Sequence, residues 1–266
     1  MSRPTIRPKK SLGQHFLHDE NIARKIVTAI QPEPTDVILE IGPGEGMLTK
    51  HLASRASKLV VVEIDRRAVA YLKDLFPRGD VEIVHADFLQ YDFTKVKRPI
   101  RVVGNIPYNL TSPILFHVID HRDRIIDLTL MMQKEVASRI VARPSTKEYG
   151  ILSVFCQVFA DVKKLFDVSP NAFSPKPNVM SSVIHLAFLK SPRYPIADEE
   201  FFRGMVRGVF GKRRKTLRNS LKYFLEGQEV VIPSFPLHRR PEDLSVEGLV
   251  GLSNAVLAWR RSGSSN

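Results

Sequence analysis

Hydrophobic positions along the chain follow two rhythms. Asp19 is placed to cap a helix in which Ile22, Ala23, Ile26, Val27 and Ile30 share one face. Pro32 and Pro34 close that helix, and short apolar runs then alternate with helical segments. Strands are predicted at 37–41 (VILEI), 59–64, 81–86, 100–105 and 126–132, with further strands at 162–168 and 183–189. Helices are predicted between them at 47–56, 66–76, 113–121 and 133–142. The strands are almost continuously apolar, as a parallel sheet covered on both faces requires. Alternation at this spacing implies an α/β fold with a doubly wound sheet.

Around Ser191-Pro192 the rhythm changes. Beyond Asp198 only helical patterns remain, at 199–210, 213–225 and 245–260, joined in part by the Pro-containing stretch IPSFPLHRRPEDL. Ser245 can cap the last helix, but Gly248 three positions later leaves it without a full capping box. The expected organisation is an α/β domain over residues 1–190 and a small all-helical domain over 191–266.

Composition narrows the function class. The 266 residues are 43% hydrophobic and 26% charged, which is ordinary globular usage. No apolar stretch is long enough to span a membrane, and no apolar run follows the basic start as a secretory leader would need. The single cysteine, Cys156, lies in the apolar run ILSVFCQVF and reads as a small buried hydrophobe. These features fit a reducing cytoplasm. The net charge of +12 predicts attraction to polyanions, and its distribution is sharper than its size. The first 18 residues carry Arg3, Arg7, Lys9 and Lys10 with no acid. From Phe201 to Leu225 the chain carries Arg203, Arg207, Lys212, Arg213, Arg214, Lys215, Arg218 and Lys222, again with no acid. A solvated helix face usually mixes signs, so this stretch is the candidate phosphate-tracking surface.

The turn EIGPGEG (40–46) ends the first predicted parallel strand and opens a helix. Glycines let the backbone turn tightly and approach a ligand. A dinucleotide fingerprint would need a small residue where Met47 stands, and Walker A would need GK[ST] after the glycines. Glu40 and Glu45 flank the loop, which disfavours phosphates. The loop therefore suits a nucleoside without phosphates, and S-adenosylmethionine, with its cationic sulfonium and amino group, is the commonest one. Glu63, 21 residues after Gly42, can accept from ribose hydroxyls, with Asp65 as a competitor that strand alternation does not separate from it. Asp87 in HADFL either caps a turn or accepts from the cofactor's adenine amine.

GNIPYN (104–109) follows the next strand. An adenine N6 amine is a poor nucleophile because its lone pair is delocalised into the ring. Acceptors aligned with its N–H bonds favour the tetrahedral geometry that attack requires. Asn105 offers an amide oxygen, the carbonyl of residue 106 or 107 a second acceptor, and Tyr108 an aromatic platform. Transfer from a sulfonium needs no strong base, which agrees with the lack of His or Glu in the motif.

With these residues, the chain resembles the ribosomal RNA adenine N6,N6-dimethyltransferase family (KsgA-type) over almost its whole length. The resemblance rests on SLGQHFL (11–17), EIGPGEG, VVVEID (60–65), HADFL, GNIPYNLTSPILF (104–116), MMQKEVASRIVA (131–142), YGILSV (149–154), the FxPxPxVxS run from Phe173 to Ser181, and FGKRRKTLRNSL (210–221). It implies a Rossmann-like methyltransferase sheet and cofactor contacts at His15, Leu17, Gly42, Gly44, Glu63, Asp87 and Asn105. His15 stands where the family often has Asn. Catalytic roles are implied for Asn105, Pro107, Tyr108 and Phe173, with Tyr108 and Phe173 stacking on the target adenine. Phe173 reads equally well as a packed anchor for a Pro-stiffened loop. RNA contacts are implied at Arg207, Lys212, Arg213, Arg214, Lys215, Arg218 and Lys222. The implied substrate is two adjacent adenines in the 3′-terminal hairpin of small-subunit (16S) ribosomal RNA within a pre-30S particle, acted on by a monomer.

Two other readings share parts of this pattern: a large-subunit RNA methylase of the antibiotic-resistance type, and a non-catalytic assembly or transcription factor. His117 and His121 sit i,i+4 on a predicted helix but lack a third ligand of suitable spacing, so no metal is expected.

Overall fold

The structure, a computed structural model, describes residues 6–263 other than Lys10, Ser11, Lys97 and Arg213. The chain forms two compact units: Met1–Ala137 with Val162–Phe188, and Ser138–Asp161 with Leu189–Asn266. One cut falls between Phe188 and Leu189, and residues 138–161, expected in the α/β domain, belong with the helical unit. Their run ILSVFCQVF forms a helix whose Phe155 ring meets Phe202 edge-on at 6.0 Å.

In the first unit, β1 (Phe16–Leu17), α1 (Glu20–Ile30), β2 (Val37–Ile41), α2 (Thr49–Leu52), β3 (Lys58–Glu63), α3 (Arg66–Leu75) and β4 (Val81–His85) follow in order. Then come β5 (Ile100–Asn105), α4 (Thr111–Asp120) and β6 (Ile125–Gln133). The helix α5 (Lys134–Ile140) and the strand β7 (Ala160–Val168), with α6 (Ile151–Phe159) between them, carry the chain across the unit boundary. The unit ends with β8 (Phe173–Ser174) and β9 (Ser181–Phe188).

Asp19 caps α1 as its position predicts, accepting from the N–H groups of Asn21 and Ile22 at 2.9 and 3.1 Å. The helix buries Ala23, Ile26, Val27 and Ile30 against Ile38, Leu59 and Val61. The helix expected over 47–56 shrinks to the four residues of α2, because the SRAS stretch turns to deliver the chain to β3, where Ser57 Oγ donates to the Asp36 carbonyl at 2.7 Å.

The sheet has the order β4-β3-β2-β5-β6-β9-β7. Strands β4 to β6 are parallel, and β9 runs antiparallel to β6. All five residues of β2 are buried, so neither face of the sheet centre meets water. The chain builds outward from β2 to β3 and β4, then returns to the other side of β2 for β5. In such a sheet ligands lie beyond the strand C-termini at this reversal. Register puts Ile41 beside both Val62 and Gly104, so the ends of β2, β3 and β5 are level. The opposite end is tied by Arg101, whose guanidinium reaches Asp127 at 2.6 Å, Asp36 at 2.9 Å and the carbonyls of Ile30 and Gln31.

In the second unit, α7 (Glu199–Phe210), α8 (Leu217–Phe224) and α9 (Val246–Gly263) complete the set. Asp198 caps α7, and Ser245 Oγ accepts from the Gly248 N–H at 3.0 Å as expected for a simple cap. The helix expected over 213–225 begins only at Leu217, with Thr216 as its cap, so Lys212, Arg214 and Lys215 lie in the turn before it.

Candidate active site

A cavity of about 310 Å³ opens at the C-terminal ends of β2, β3, β4 and β5. His15, Leu17, Gly42, Gly44, Glu63, Asp87, Asn105, Pro107 and Tyr108 all line it. The cavity therefore gathers every cofactor and catalytic candidate except Phe173.

The glycine turn is shaped by close approach. Gly42 and Gly44 take left-handed conformations with φ of 59° and 54°. A Cβ on Gly44 would lie 2.7 Å from Phe16 Cδ1, so the loop folds directly onto β1. The Gly44 N–H donates to Glu63 Oε2 at 3.2 Å, and the Asp65 N–H to Oε1 at 2.8 Å. Burial raises the Glu63 pKa, opposed by these backbone donors. Glu63 and Asp65 stand in different surroundings, Glu63 in the cavity wall. Asp65 caps α3 and ion-pairs with Arg67 at 2.5 Å, which holds its carboxyl down to about 2, and it does not line the cavity.

Glu40 at the end of β2 is buried and lines the cavity, and Thr49 Oγ1 donates to its Oε2 at 2.7 Å. Burial pushes its carboxyl up to about 8. Glu45 accepts the Ile6 N–H at 2.9 Å. Asp87 makes the turn-capping contact and also lines the cavity. Its Oδ1 accepts from the Leu89 N–H at 2.9 Å. Ile64, half exposed and lining the cavity next to Glu63, supplies an apolar wall that the sequence reading passed over. The available signal was an apolar residue set between two acids at a strand end.

Glu40, Glu45, Glu63 and Asp87 line the cavity, and among the described residues no lysine or arginine does. Acidic groups with no cation beside them disfavour a phosphate and suit a cationic nucleoside, so the residues present fit S-adenosylmethionine.

The GNIPYN turn forms the other wall. A Cβ on Gly104 would sit 2.8 Å from the Ile41 carbonyl oxygen, so glycine lets β5 press against β2 just before Asn105. Asn105 Nδ2 donates to the His15 carbonyl at 2.9 Å. The Pro107 carbonyl accepts from the Leu110 N–H at 3.0 Å, which leaves the Ile106 carbonyl as the freer of the two backbone acceptors. The Tyr108 hydroxyl lies 2.7 Å from Ser181 Oγ, and its ring stacks on His15 with centroids 5.5 Å apart.

Phe173 departs from its expected stacking role. It is 3% exposed, packs in the core with Leu17 and Ala172, and does not line the cavity. Its pairing with Leu17 across the β1–β8 ladder turns the ring inward, so it is the packed anchor of its loop. His117 and His121 sit in an aromatic cluster with Phe93, their ring centroids 4.6 Å apart.

In the second unit Arg207, Lys212, Arg214, Lys215, Arg218 and Lys222 are exposed. Arg3, Lys10 and Arg213 lie outside the described residues. The stretch is less free of acids than its sequence, since Glu229 pairs with Lys222 at 2.7 Å and Glu199 with Arg203 at 3.1 Å. Lys212 Nζ lies 4.9 Å from the centroid of the Tyr223 ring, and Arg207 5.6 Å from that of Phe155.

Comparison with known proteins agrees with this geometry. The profile of the family described as ribosomal RNA adenine dimethylase (RrnaAD) matches residues 6–240. The "Ribosomal RNA small subunit methyltransferase A" of Aromatoleum aromaticum is 42% identical over 95% of both chains. Its namesake in Xanthomonas campestris is 44% identical over 94% of this chain and 97% of the relative. Among solved structures, a dimethyladenosine transferase from Plasmodium falciparum superposes with a TM-score of 0.77 at 26% identity, covering 94% of this chain and 98% of that one. The 23S rRNA methyltransferase ErmE gives 0.68 at 27% identity, covering 90% and 98%. From the carboxylate-lined nucleoside cavity to the NIPY wall and the match along its length, this chain belongs to the ribosomal RNA adenine dimethylase family.

Proposed function

We propose that the protein uses S-adenosylmethionine to dimethylate the N6 amines of two adjacent adenines in the 3′-terminal hairpin of small-subunit ribosomal RNA. The observation that carries this reading is the orientation of Asn105. Its NH2 group is committed to the His15 carbonyl, so its Oδ1 remains as an acceptor at the cavity wall. The relatives at 42% and 44% identity, named for the small subunit, favour that substrate over large-subunit RNA.

The bound cofactor supplies an electrophilic methyl group on a sulfonium. The protein's part is to hold the amine. Asn105 Oδ1 and the Ile106 carbonyl accept from the two N–H bonds of N6, turning its lone pair out of ring conjugation. Tyr108 offers its ring to the flipped base and offsets part of the cost of unstacking it. As N6 gains the methyl carbon it becomes cationic and loses one proton to water, so the motif needs no base. A second transfer starts from an amine with one N–H left, which a single acceptor suffices to hold.

The exposed cations Lys212, Arg214, Lys215 and Arg218, with Arg213 among them in sequence, suit the RNA backbone. The α/β unit is the catalytic part of this reading and the helical unit its RNA grip. The reading places a monomer on a pre-30S particle in the cytoplasm; no helix among the described residues is long and apolar enough to cross a membrane. Transfer of tritiated methyl groups into unmethylated small subunits tests it. Label in two adjacent adenines of the small-subunit RNA is expected, whereas label confined to large-subunit RNA, or none, contradicts it.

A further inference from the structure

Tyr108 is fixed at two points by side chains that the chemistry above does not use. Its hydroxyl lies 2.7 Å from Oγ of Ser181, which is fully buried at the start of β9. One ring face is covered by the His15 imidazole at a centroid distance of 5.5 Å, with the two planes 25° apart. The imidazole is itself tethered, its Nδ1 lying 2.7 Å from the Pro175 carbonyl. A carbonyl can only accept, so Nδ1 carries the proton.

A tyrosine ring has two side-chain torsions. The hydroxyl bond restrains where the ring tip lies, and the stack restrains the plane. We infer that His15 and Ser181 are positioning residues that clamp Tyr108 as a one-faced platform for the target base. With the imidazole offset-stacked against one face, the clamp leaves the other for an incoming planar base. This rests on the proposed function, because it assigns the open face to the adenine. It also gives the His15 segment two separate tasks. The segment's backbone carbonyl holds Asn105, while its side chain has become part of the aromatic wall. Pre-ordering matters because a base stacked on a mobile ring must first restrain it, and that entropy would be subtracted from the stacking gain.

The test uses the full chain with unmethylated small subunits. It measures single-turnover methyl transfer and, separately, S-adenosylmethionine affinity by calorimetry. Ser181→Ala and Tyr108→Phe each remove one partner of the same bond and are expected to slow transfer about 5- to 10-fold, the scale of one buried hydrogen bond. The double variant should be no slower than either single one. His15→Asn keeps an amide able to reach Pro175 but cannot stack, and should slow transfer about 5-fold. His15→Phe should recover at least half of that loss on a logarithmic scale. Cofactor affinity in the Ser181 and Tyr108 variants should stay within about twofold of the parent, as a clamp on the base requires. Multiplying losses in the Ser181–Tyr108 pair, or no recovery by Phe at position 15, overturns the clamp while transfer by the parent protein stands. Absence of transfer by the parent protein overturns the functional reading, and the clamp with it.

Discussion

The side-chain amide of Asn105 donates through Nδ2 to the backbone carbonyl of His15 at 2.9 Å, joining the end of β5 to the segment just before β1. This bond decides which way the amide faces, since a carbonyl oxygen turned toward another carbonyl would be repelled. Asn105→Asp places a carboxylate oxygen there instead. That variant is expected to weaken S-adenosylmethionine binding by at least about tenfold, read by calorimetry. Parental affinity would show that the bond does not organise the cavity.

Glu40 couples the cavity to pH. Its carboxyl is raised from 4.5 to about 8, chiefly by burial. A carboxyl with a raised folded pKa favours the protonated folded state. Its destabilising effect is absent below pH 4.5 and complete above about 8, so ligand-free stability from this group falls as pH rises across that window. The thermal midpoint of the ligand-free protein should decline less steeply between pH 5 and 8 in Glu40→Gln. A bound cation draws the proton off, so affinity for S-adenosylmethionine should rise from pH 6 to 8 more than affinity for the uncharged-sulfur product. Parallel melting curves for the two proteins would remove Glu40 from this role.

Gly44 tests the close packing of the loop. An alanine there must hold φ near 54° and place its Cβ 2.7 Å from the Phe16 ring. Gly44→Ala is expected to cost about 1–3 kcal/mol in urea unfolding and to weaken cofactor binding. Unchanged stability would mean that the loop relaxes freely.

The basic turn before α8 should act through salt. Neutralising Arg213, Arg214 and Lys215 is expected to flatten the log–log dependence of RNA affinity on salt, by roughly 0.7–0.9 for each phosphate no longer neutralised. A uniform fall in affinity with an unchanged slope would place the phosphate-binding residues elsewhere.

Much of this was readable from the chain. Apolar runs such as VILEI and the periodic face of Ala23, Ile26, Val27 and Ile30 lie on buried elements, because a two-sided sheet leaves little choice of register. The glycines and the acids at strand ends predicted the cavity, since each sits where a parallel strand delivers its last residue. Pairings between distant segments were not readable. The β1–β8 ladder has two residues per strand, too few to show alternation, and that pairing buries Phe173. The Ser181–Tyr108 bond and the His15–Tyr108 stack join positions 73 and 93 residues apart with no local pattern to mark them. The placement of α6 in the helical unit was hidden because a mostly apolar nine-residue segment reads equally as a strand or a buried helix.

In the proposed reaction an oriented amide, rather than a general base, makes the adenine amine reactive. Single-turnover methyl transfer by Asn105→Ala on unmethylated small subunits tests it most directly, with RNA affinity measured on the same preparation. A fall in transfer rate of about 100-fold or more is expected, with RNA affinity within about twofold of the parent protein. A variant that binds RNA normally and transfers methyl groups at the parental rate would contradict it.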